Sequence, residues 1–455
     1  MIRAAEIRSS LESVLLGQAG AATGSFRHVV SDSQRVRPGD LFVALRGEHH
    51  DGHDFVADAL ARGARGLLVQ QRPATLPESV VVYEVADTLD ALQRLAAGRR
   101  RQYDVRVIAI TGSVGKSTTK EITASLLSRR FKVLKNEANY NNEIGLPLTL
   151  LGLTRRHELA VLEMGMYALG EIRLLCDIAR PQVGVITNVG PSHLERLGSI
   201  EAIAAAKAEL AEALPSDGCA ILNGDDPIVR KMAKKTQAKA ILYGTSAGCQ
   251  VRGTELESKG LRGFSFTLEY EGKKARAETR LPGRHLLHNA LAAAAVGLEE
   301  GMSLKEVTEA LAQAQARLHL HFHIHRGRNG CKILDDTYNA SPVSMLAALA
   351  LLADMSGRRI AVLGDMRELG AATEESHRVV GREAARIAQV IHTVGELGRL
   401  IGEEAQEAGH PAVHIWESKE AMADALASDL RRGDVVLLKA SRALELEKIL
   451  PELKD

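Results

Sequence analysis

The sequence predicts an α/β chain of three domains: a small α/β domain, a parallel-sheet domain built round a phosphate loop, and a Rossmann-like domain at the end. Three observations carry this. At 455 residues the chain is too long for a single hydrophobic core. A phosphate-gripping loop at residues 108–120 lies between a short apolar run and a helix-forming stretch. Two separate series of apolar runs alternate with helical stretches, as parallel βαβ units require.

Residues 1–83 form the first domain. They hold short strands at Asp40-Leu-Phe-Val-Ala-Leu45 and Gly66-Leu-Leu-Val-Gln70, with a helix-like segment at 55–62 between them. Residues 84–314 make the central, P-loop ATPase-like domain. Strands are expected there at 105–110, 132–134, 159–162 and 183–187, with helices between them and a strand-rich excursion at 251–281. Residues 315–455 begin the second series, with strands at 332–334, 360–363, 390–394, 412–415 and 435–438. No Gly-rich dinucleotide fingerprint accompanies this Rossmann-like domain.

Composition excludes several classes. Lys plus Arg (58) against Asp plus Glu (57) leaves a net charge of +1, which gives no electrostatic case for nucleic acid or an anionic membrane. Cys176, Cys219, Cys249 and Cys331 are scattered, with neither a C-x-x-C pair nor zinc spacing, as suits a reducing cytoplasm. The stretch from Met1 to Leu16 lacks a signal-peptide core, and no segment has the apolar length of a membrane span. A soluble, cytoplasmic protein is expected.

The loop reads Ile108-Ala-Ile-Thr-Gly-Ser-Val-Gly-Lys-Ser-Thr-Thr-Lys120. Gly112 and Gly115 let backbone N–H groups close on a polyphosphate, Lys116 supplies a point charge, and Ser117 can ligate Mg²⁺. With Thr111, Ser113, Val114 and Thr118 they form the expected ATP-binding loop. It is shorter than the general pattern G-x-x-x-x-G-K-[ST], because Ile110 stands where the first Gly would be.

In such sheets ligands sit beyond the carboxyl ends of the strands. Glu163 emerges there at the level of the phosphate loop, and Asn188, Gly190, Pro191, Ser192 and His193 follow the next strand. A hydroxyl, a carboxylate and an imidazole can together hold two Mg²⁺ ions against a triphosphate. Glu163 also reads as a helix N-cap and His193 as a satisfied loop histidine. From Ser199 a helix is expected with an apolar stripe at Ile200, Ile203, Leu210 and Leu214, and Lys207 falls on that stripe. Burial favours the neutral amine, which reacts with CO₂ to give a carbamate, an oxygen ligand for a cation. The other reading is a lysine that snorkels its head into water.

Asp335-Asp-Thr-Tyr-Asn-Ala-Ser-Pro342, Gly364-Asp-Met-Arg-Glu-Leu-Gly370 and Lys439-Ala-Ser-Arg442 follow strands of the last domain and suggest a second substrate site. Each alone also reads as a helix cap. His319, His321, His323 and His325 alternate on one strand face, where side chains diverge, so they read as solvated or interdomain histidines rather than a metal site.

Taken together, Ile110-Thr-Gly-Ser-Val-Gly-Lys-Ser-Thr118, Asn139-Tyr-Asn-Asn-Glu-Ile-Gly-Leu-Pro-Leu-Thr149, Glu163-Met-Gly165, Asn188-Val-Gly-Pro-Ser-His-Leu-Glu195, Ala206-Lys-Ala-Glu209 and His285-Leu-Leu-His-Asn289 resemble the Mur ligases of bacterial cell-wall synthesis. The short phosphate loop is typical of that family and of its folylpolyglutamate synthetase relatives. Within the family, the three loops of the last domain resemble the member that joins D-alanyl-D-alanine to UDP-N-acetylmuramoyl-tripeptide. Ser31-Asp-Ser-Gln-Arg-Val-Arg-Pro-Gly-Asp-Leu-Phe-Val-Ala44 and Asp51-Gly-His-Asp-Phe55 resemble its UDP-sugar-binding domain.

The resemblance implies a mechanism and a set of roles. Lys116 and the loop amides hold ATP, Ser117 and Glu163 hold one Mg²⁺, and His193 and carbamylated Lys207 hold a second. The γ-phosphoryl passes to the tripeptide carboxylate, and the amine of D-alanyl-D-alanine attacks the resulting acyl phosphate. Asn289 matches the adenine-contacting Asn and Asp336 the ribose-contacting Asp. Asn339 lies on the D-alanyl-D-alanine side, and Ser33, Asn142 and Ser341 are the other expected substrate contacts. The Arg expected at the γ-phosphate is assigned to Arg317, although strict counting from Asp336 lands on His321. Gln34 stands where the family usually has Arg, Ser341 replaces a frequent Asn, and Ala440 a frequent Gly. A monomer is expected. The rivals are the neighbouring ligase that adds the third residue, whose Asp-Asn-Pro-Arg motif is absent, and a folylpolyglutamate synthetase, which should lack the segment around Ser31 to Phe55.

Overall fold

The computed structural model describes residues 1–20, 24–47, 50–191, 194–314 and 322–454. Its first large sheet has five strands in the order Leu15–Ala19, Val81–Val85, Gly66–Val69, Leu41–Val43, Val29–Val30, parallel apart from the antiparallel Leu15–Ala19 edge. Leu41–Val43 and Gly66–Val69 are wholly buried, which is why both read as unbroken apolar runs. The segment expected as helix at 55–62 is a 3₁₀ turn, Gly52–Phe55, running into the helix Val56–Ala61. Gly66 is sterically required, because a Cβ there would lie 2.4 Å from Phe26 Cε1. The expected division at residue 83 falls inside Val81–Val85, so this sheet reaches two residues further.

The central sheet has nine strands in the order Lys273–Thr279, Phe264–Tyr270, Val251–Ser258, Lys239–Gly244, Cys219–Asn223, Val183–Ile186, Arg106–Thr111, Leu159–Glu163, Val133–Lys135. It is parallel from Val133–Lys135 to Val251–Ser258 and then closes with two antiparallel pairs, the excursion expected at 251–281. Register brings three strand ends level: Glu163 pairs with Ile110, and Ile186 with Thr111. The helix Leu287–Glu299 lies close against Lys116–Leu127, and its alanines and Gly297 permit this; a Cβ on Gly297 would be 2.7 Å from Leu126 Cδ2.

The last sheet runs His323–Arg326, Lys332–Asp335, Val435–Lys439, Arg359–Leu363, Val390–Val394, Val413–Trp416, with only the first strand antiparallel. All five expected strands are present. His323 is exposed on the edge strand and His325 Nε2 lies 3.3 Å from Asp335 Oδ2; His319 and His321 fall outside the described residues. Among the described residues no three His, Cys, Asp or Glu side chains gather as a metal cluster.

One hydrophobic core runs from Ile2, Phe26 and Tyr83 through Leu92 and Leu95 to Leu146 and Leu210, joining the first sheet to the central one. The helix Thr88–Arg101 mediates this by packing on Ala4–Leu11 and on Gly145–Leu151. Arg99, 4 % exposed, seals the seam: it pairs with Glu6 at 2.9 Å and donates to Leu153 O at 2.7 Å and Met1 O at 3.2 Å. Removing one partner of a buried ion pair costs about 3–5 kcal/mol. Arg99→Met should therefore destabilise the seam by that order, read as a lower urea midpoint of the earliest unfolding transition, and an unchanged midpoint would show that the seam holds without it.

Candidate active site

The phosphate loop follows directly from its strand. Gly115 has φ +84° and starts the helix Lys116–Leu127, and Gly112 has φ +149°; both lie in conformations that side chains rarely adopt. Space is equally exclusive. A Cβ on Gly112 would lie 1.9 Å from Thr187 Oγ1, and one on Gly115 2.6 Å from Asn289 Nδ2.

The loop is sewn to the end of the neighbouring strand. Asn188 accepts from Val114 N (2.9 Å) and donates to Val114 O (2.8 Å), and its own carbonyl accepts from Ser113 N (3.0 Å). Thr187 Oγ1 also donates to Val114 O (2.7 Å), and Ser113 Oγ exchanges bonds with Gly190 N and O. Thr111 donates to Met164 O (2.9 Å). Asn289 Nδ2 donates to Gly115 O (3.1 Å) and Thr119 Oγ1 (2.9 Å), tying the loop to the helix Leu287–Glu299. Lys116 Nζ arches over the loop to Gly112 O (2.8 Å) and Ser113 O (3.2 Å), and burial lowers its pKa while Glu163 opposes the shift. Ser117 and Thr118 sit half-buried on the first helical turn.

A cleft of about 100 Å³ opens beside the loop, and Thr111, Gly112, Lys116, Asn141, Asn142 and Lys207 are among its walls. Lys207 is the answer to the helix periodicity. Ser199 caps Ile200–Glu212, Ile203 and Leu210 are fully buried, and Lys207 is 2 % exposed on the same face. The snorkelling reading is thereby set aside. Its pKa falls well below 10.5, first through burial and then through the nearby positive charge of Lys116.

Glu163 is 2 % exposed, and it is not a helix cap. Asn141 Nδ2 donates to its Oε1 (2.8 Å), whereas Oε2 is buried without a hydrogen-bond partner among the described residues. Such an atom is costly unless a cation or proton joins it. A cation joining this oxygen would draw on the carboxylate, on hydroxyls and on phosphate oxygens, which is the donor set of Mg²⁺. His193 lies outside the described residues, as do Ser192 and Arg317.

Other expected contacts have local duties as well. Asn142 borders the cleft, and its Oδ1 caps the helix Gly145–Leu151 by accepting from Gly145 N (2.9 Å). Ser341 caps Pro342–Ala353 in a capping box with Ser344, and Asn339 Oδ1 accepts from Ala340 N (2.8 Å). Ser33 is buried in the first domain, where its hydroxyl helps hold Asp58 below the usual carboxylate range. Asp336 pairs with the buried Lys439 at 2.6 Å; burial raises its pKa and Lys439 resists.

Lys439 Nζ also reaches Asn339 O (2.9 Å), and Ser441 N donates to Asp365 O (2.9 Å), so the three polar loops of the last sheet are tied together. The loop at 364–370 also approaches the central domain: a Cβ on Gly370 would be 3.6 Å from Glu195 Cα.

The residues that sequence reasoning missed are Asn136, Asn141 and Lys120. Four asparagines crowd the seven residues 136–142, but nothing in that run points to Glu163 as their partner, and Lys120 carries no signal of its own.

For Lys207 the sign of the pH effect is determinate. Its folded pKa is depressed, so its contribution to stability is present above 10.5 and lost as pH falls toward the folded value. In CO₂-free buffer, Lys207→Met should raise the thermal midpoint at neutral pH, with the gain shrinking as pH approaches 10.5. A difference independent of pH would contradict a lysine buried as the neutral amine.

Known proteins share the sequence and fold of this chain. Family models match at residues 25–100 (Mur ligase family, catalytic domain), 110–297 (Mur ligase middle domain) and 322–442 (Mur ligase, glutamate ligase domain). The UDP-N-acetylmuramoyl-tripeptide–D-alanyl-D-alanine ligase of Bacillus subtilis is 37% identical over 430 residues, 93% of this chain and 92% of its own. A crystal structure of MurF from Acinetobacter baumannii superposes with a TM-score of 0.88 at 30% identity, covering 99% of this chain and 98% of that one. A MurF ligase from Thermotoga maritima, solved in complex with ADP, gives 0.82 at 30% identity, covering 94% and 96%. With matches of this identity across nearly its whole length, the chain belongs to the Mur ligase family.

Proposed function

We propose that this chain uses ATP to join D-alanyl-D-alanine to UDP-N-acetylmuramoyl-tripeptide, forming the pentapeptide nucleotide of peptidoglycan synthesis. The observation that carries it is the convergence of a phosphate loop and a buried lysine on a single cleft, with Asn141 of the cleft wall hydrogen-bonded to the buried Glu163 carboxylate. The ligase activity printed for the Bacillus subtilis relative supports the choice of substrates. A nucleotide-linked precursor as substrate supports a cytoplasmic reaction. Among the described residues no helix is long and apolar enough to cross a membrane.

Thr111 to Thr118 and Lys116 bind the triphosphate, Asn289 and Asp336 the adenosine, and Arg317 the γ-phosphate. The cleft orients the tripeptide carboxylate in line with the γ-phosphorus. A carboxylate oxygen bonds to that phosphorus as the bond to the β,γ-bridging oxygen breaks, releasing ADP and leaving an acyl phosphate. The amine of D-alanyl-D-alanine then attacks the acyl carbon, loses a proton, and expels phosphate from the tetrahedral intermediate. Ser33 and Asn142 contact the nucleotide substrate, and Asn339 and Ser341 the dipeptide.

Two Mg²⁺ ions suit the remaining residues, one at Ser117 and Glu163, the other at His193 and carbamylated Lys207. Bound there they neutralise the triphosphate and the transferring phosphoryl group. The carbamate forms when the neutral Lys207 amine adds to the carbon of CO₂ and releases one N–H proton.

Phosphate release from ATP and Mg²⁺ with UDP-N-acetylmuramoyl-tripeptide should require D-alanyl-D-alanine and yield the pentapeptide nucleotide. Release with a diamino acid on the dipeptide nucleotide instead would reassign the chain to the neighbouring ligase. Lys207→Ala should lower turnover by roughly a hundredfold or more, as loss of a single preorganised electrostatic group does, with partial rescue by a small added carboxylate. Full activity in that variant would remove Lys207 from the metal-binding set.

A further inference from the structure

The strap at residues 136–142 passes beneath Glu163, and its hydrogen bonds converge on that residue. Asn136 is fully buried, and its side chain pairs with both backbone groups of Glu163, accepting from N at 2.9 Å and donating to O at 3.0 Å. The same amide donates to Tyr140 O at 2.8 Å, closing the strap on itself. Asn141 then returns with its carbonyl accepting from Gly165 N (2.8 Å) and its Nδ2 donating to Glu163 Oε1 (2.8 Å). The strap is anchored from below by Lys120, 1 % exposed, which donates to Asn136 O (2.9 Å) and Ala138 O (3.5 Å) and stands 3.9 Å from Glu163 Oε2. Ala138 has φ +44°, an uncommon conformation for a residue with a side chain, and it turns the strap toward Lys120.

A carboxylate free to rotate presents either oxygen, or both, to a cation. Here Oε1 accepts a hydrogen bond from Asn141, whereas Oε2 accepts none among the described residues and has only the Lys120 ammonium at 3.9 Å. We propose that Asn141 is a positioning residue that makes Glu163 a one-sided ligand, holding Oε1 so that Oε2 alone serves the nucleotide-bound cation. This rests on the reading that Glu163 is a Mg²⁺ ligand, and it assigns Asn141 a duty separate from the substrate contact assigned to Asn142. The backbone clamp of Asn136 fixes the strand end from which Glu163 projects, so the two asparagines act on one group through different atoms.

The test is the thermodynamic coupling between Mg²⁺ and ADP, measured by equilibrium dialysis of ADP in EDTA and in saturating Mg²⁺. In the unmodified protein Mg²⁺ should tighten ADP binding. Asn141→Ala should leave ADP affinity in EDTA unchanged but reduce the Mg²⁺-dependent gain about tenfold, the order expected when a group that orients a metal ligand is lost. Glu163→Gln should reduce the gain at least as far, and the double variant should add nothing to Glu163→Gln alone. An unaltered gain in Asn141→Ala would overturn the inference. Additive effects in the double variant would also overturn it, as would ADP affinity lost already in EDTA, which marks a structural role. No Mg²⁺ dependence in the unmodified protein would instead defeat the underlying reading of Glu163.

Discussion

Backbone amides can grip a polyphosphate only where the loop carrying them is held open and its other polar groups are satisfied elsewhere. That constraint organises the centre of this protein. The carbonyl of Val114 accepts from Thr187 and Asn188, that of Gly115 from Asn289, and those of Gly112 and Ser113 from Lys116. The donors come from the adjacent strand end, from a helix more than a hundred residues away, and from the loop's own lysine. Each needs the parallel register that levels Ile110, Glu163 and Ile186. A chain that lost the register would lose the loop.

The same edge concentrates charges that water would otherwise solvate. Lys116 and Lys207 lie where burial opposes a positive charge on each, and Lys207 stands as the neutral amine near Lys116 and the buried Glu163 carboxylate. Under the proposed function, phosphate, substrate carboxylate and a divalent cation would complete such an arrangement. The flanking domains reach this edge physically. Arg35 of the first domain donates to the Tyr140 hydroxyl on the strap under Glu163, and the 364–370 loop of the last domain comes down on Leu194–Leu197. Ser258 and Arg284 meet Asp354 on the other side, at 2.7 Å and 3.5 Å, and His285, pushed down to about 4 by burial, stands neutral in that seam.

How much of this was readable in the sequence depended on whether a residue acts through periodicity or through irregular backbone. The phosphate loop and the parallel strands were legible because glycines, apolar runs and alternation are local signals. Lys207 was legible because a helix projects its pattern onto one face, and a charge on the buried face stands out. Asn136 and Asn141 were not, since their partner Glu163 lies more than twenty residues away and the strap between them follows no repeat. Lys120 looked like one more polar residue on the loop helix until its carbonyl partners were known. Ser341 and Asn142 show the converse: residues assigned to substrates also cap helices, and only coordinates reveal that local duty. The strand at 81–85 ran past the expected domain edge because nothing in its apolar pattern marks where a domain ends.

The proposed function turns on the cleft between the phosphate loop and Lys207 being where a carboxylate oxygen of the substrate takes the γ-phosphoryl group. Oxygen-18 tracing tests it most directly. With the terminal carboxylate of the tripeptide nucleotide labelled in both oxygens, the account predicts that one labelled oxygen leaves in the released phosphate during pentapeptide formation. Phosphate free of label would contradict it, because the oxygen would then have come from water or from ATP and no acyl phosphate would have formed.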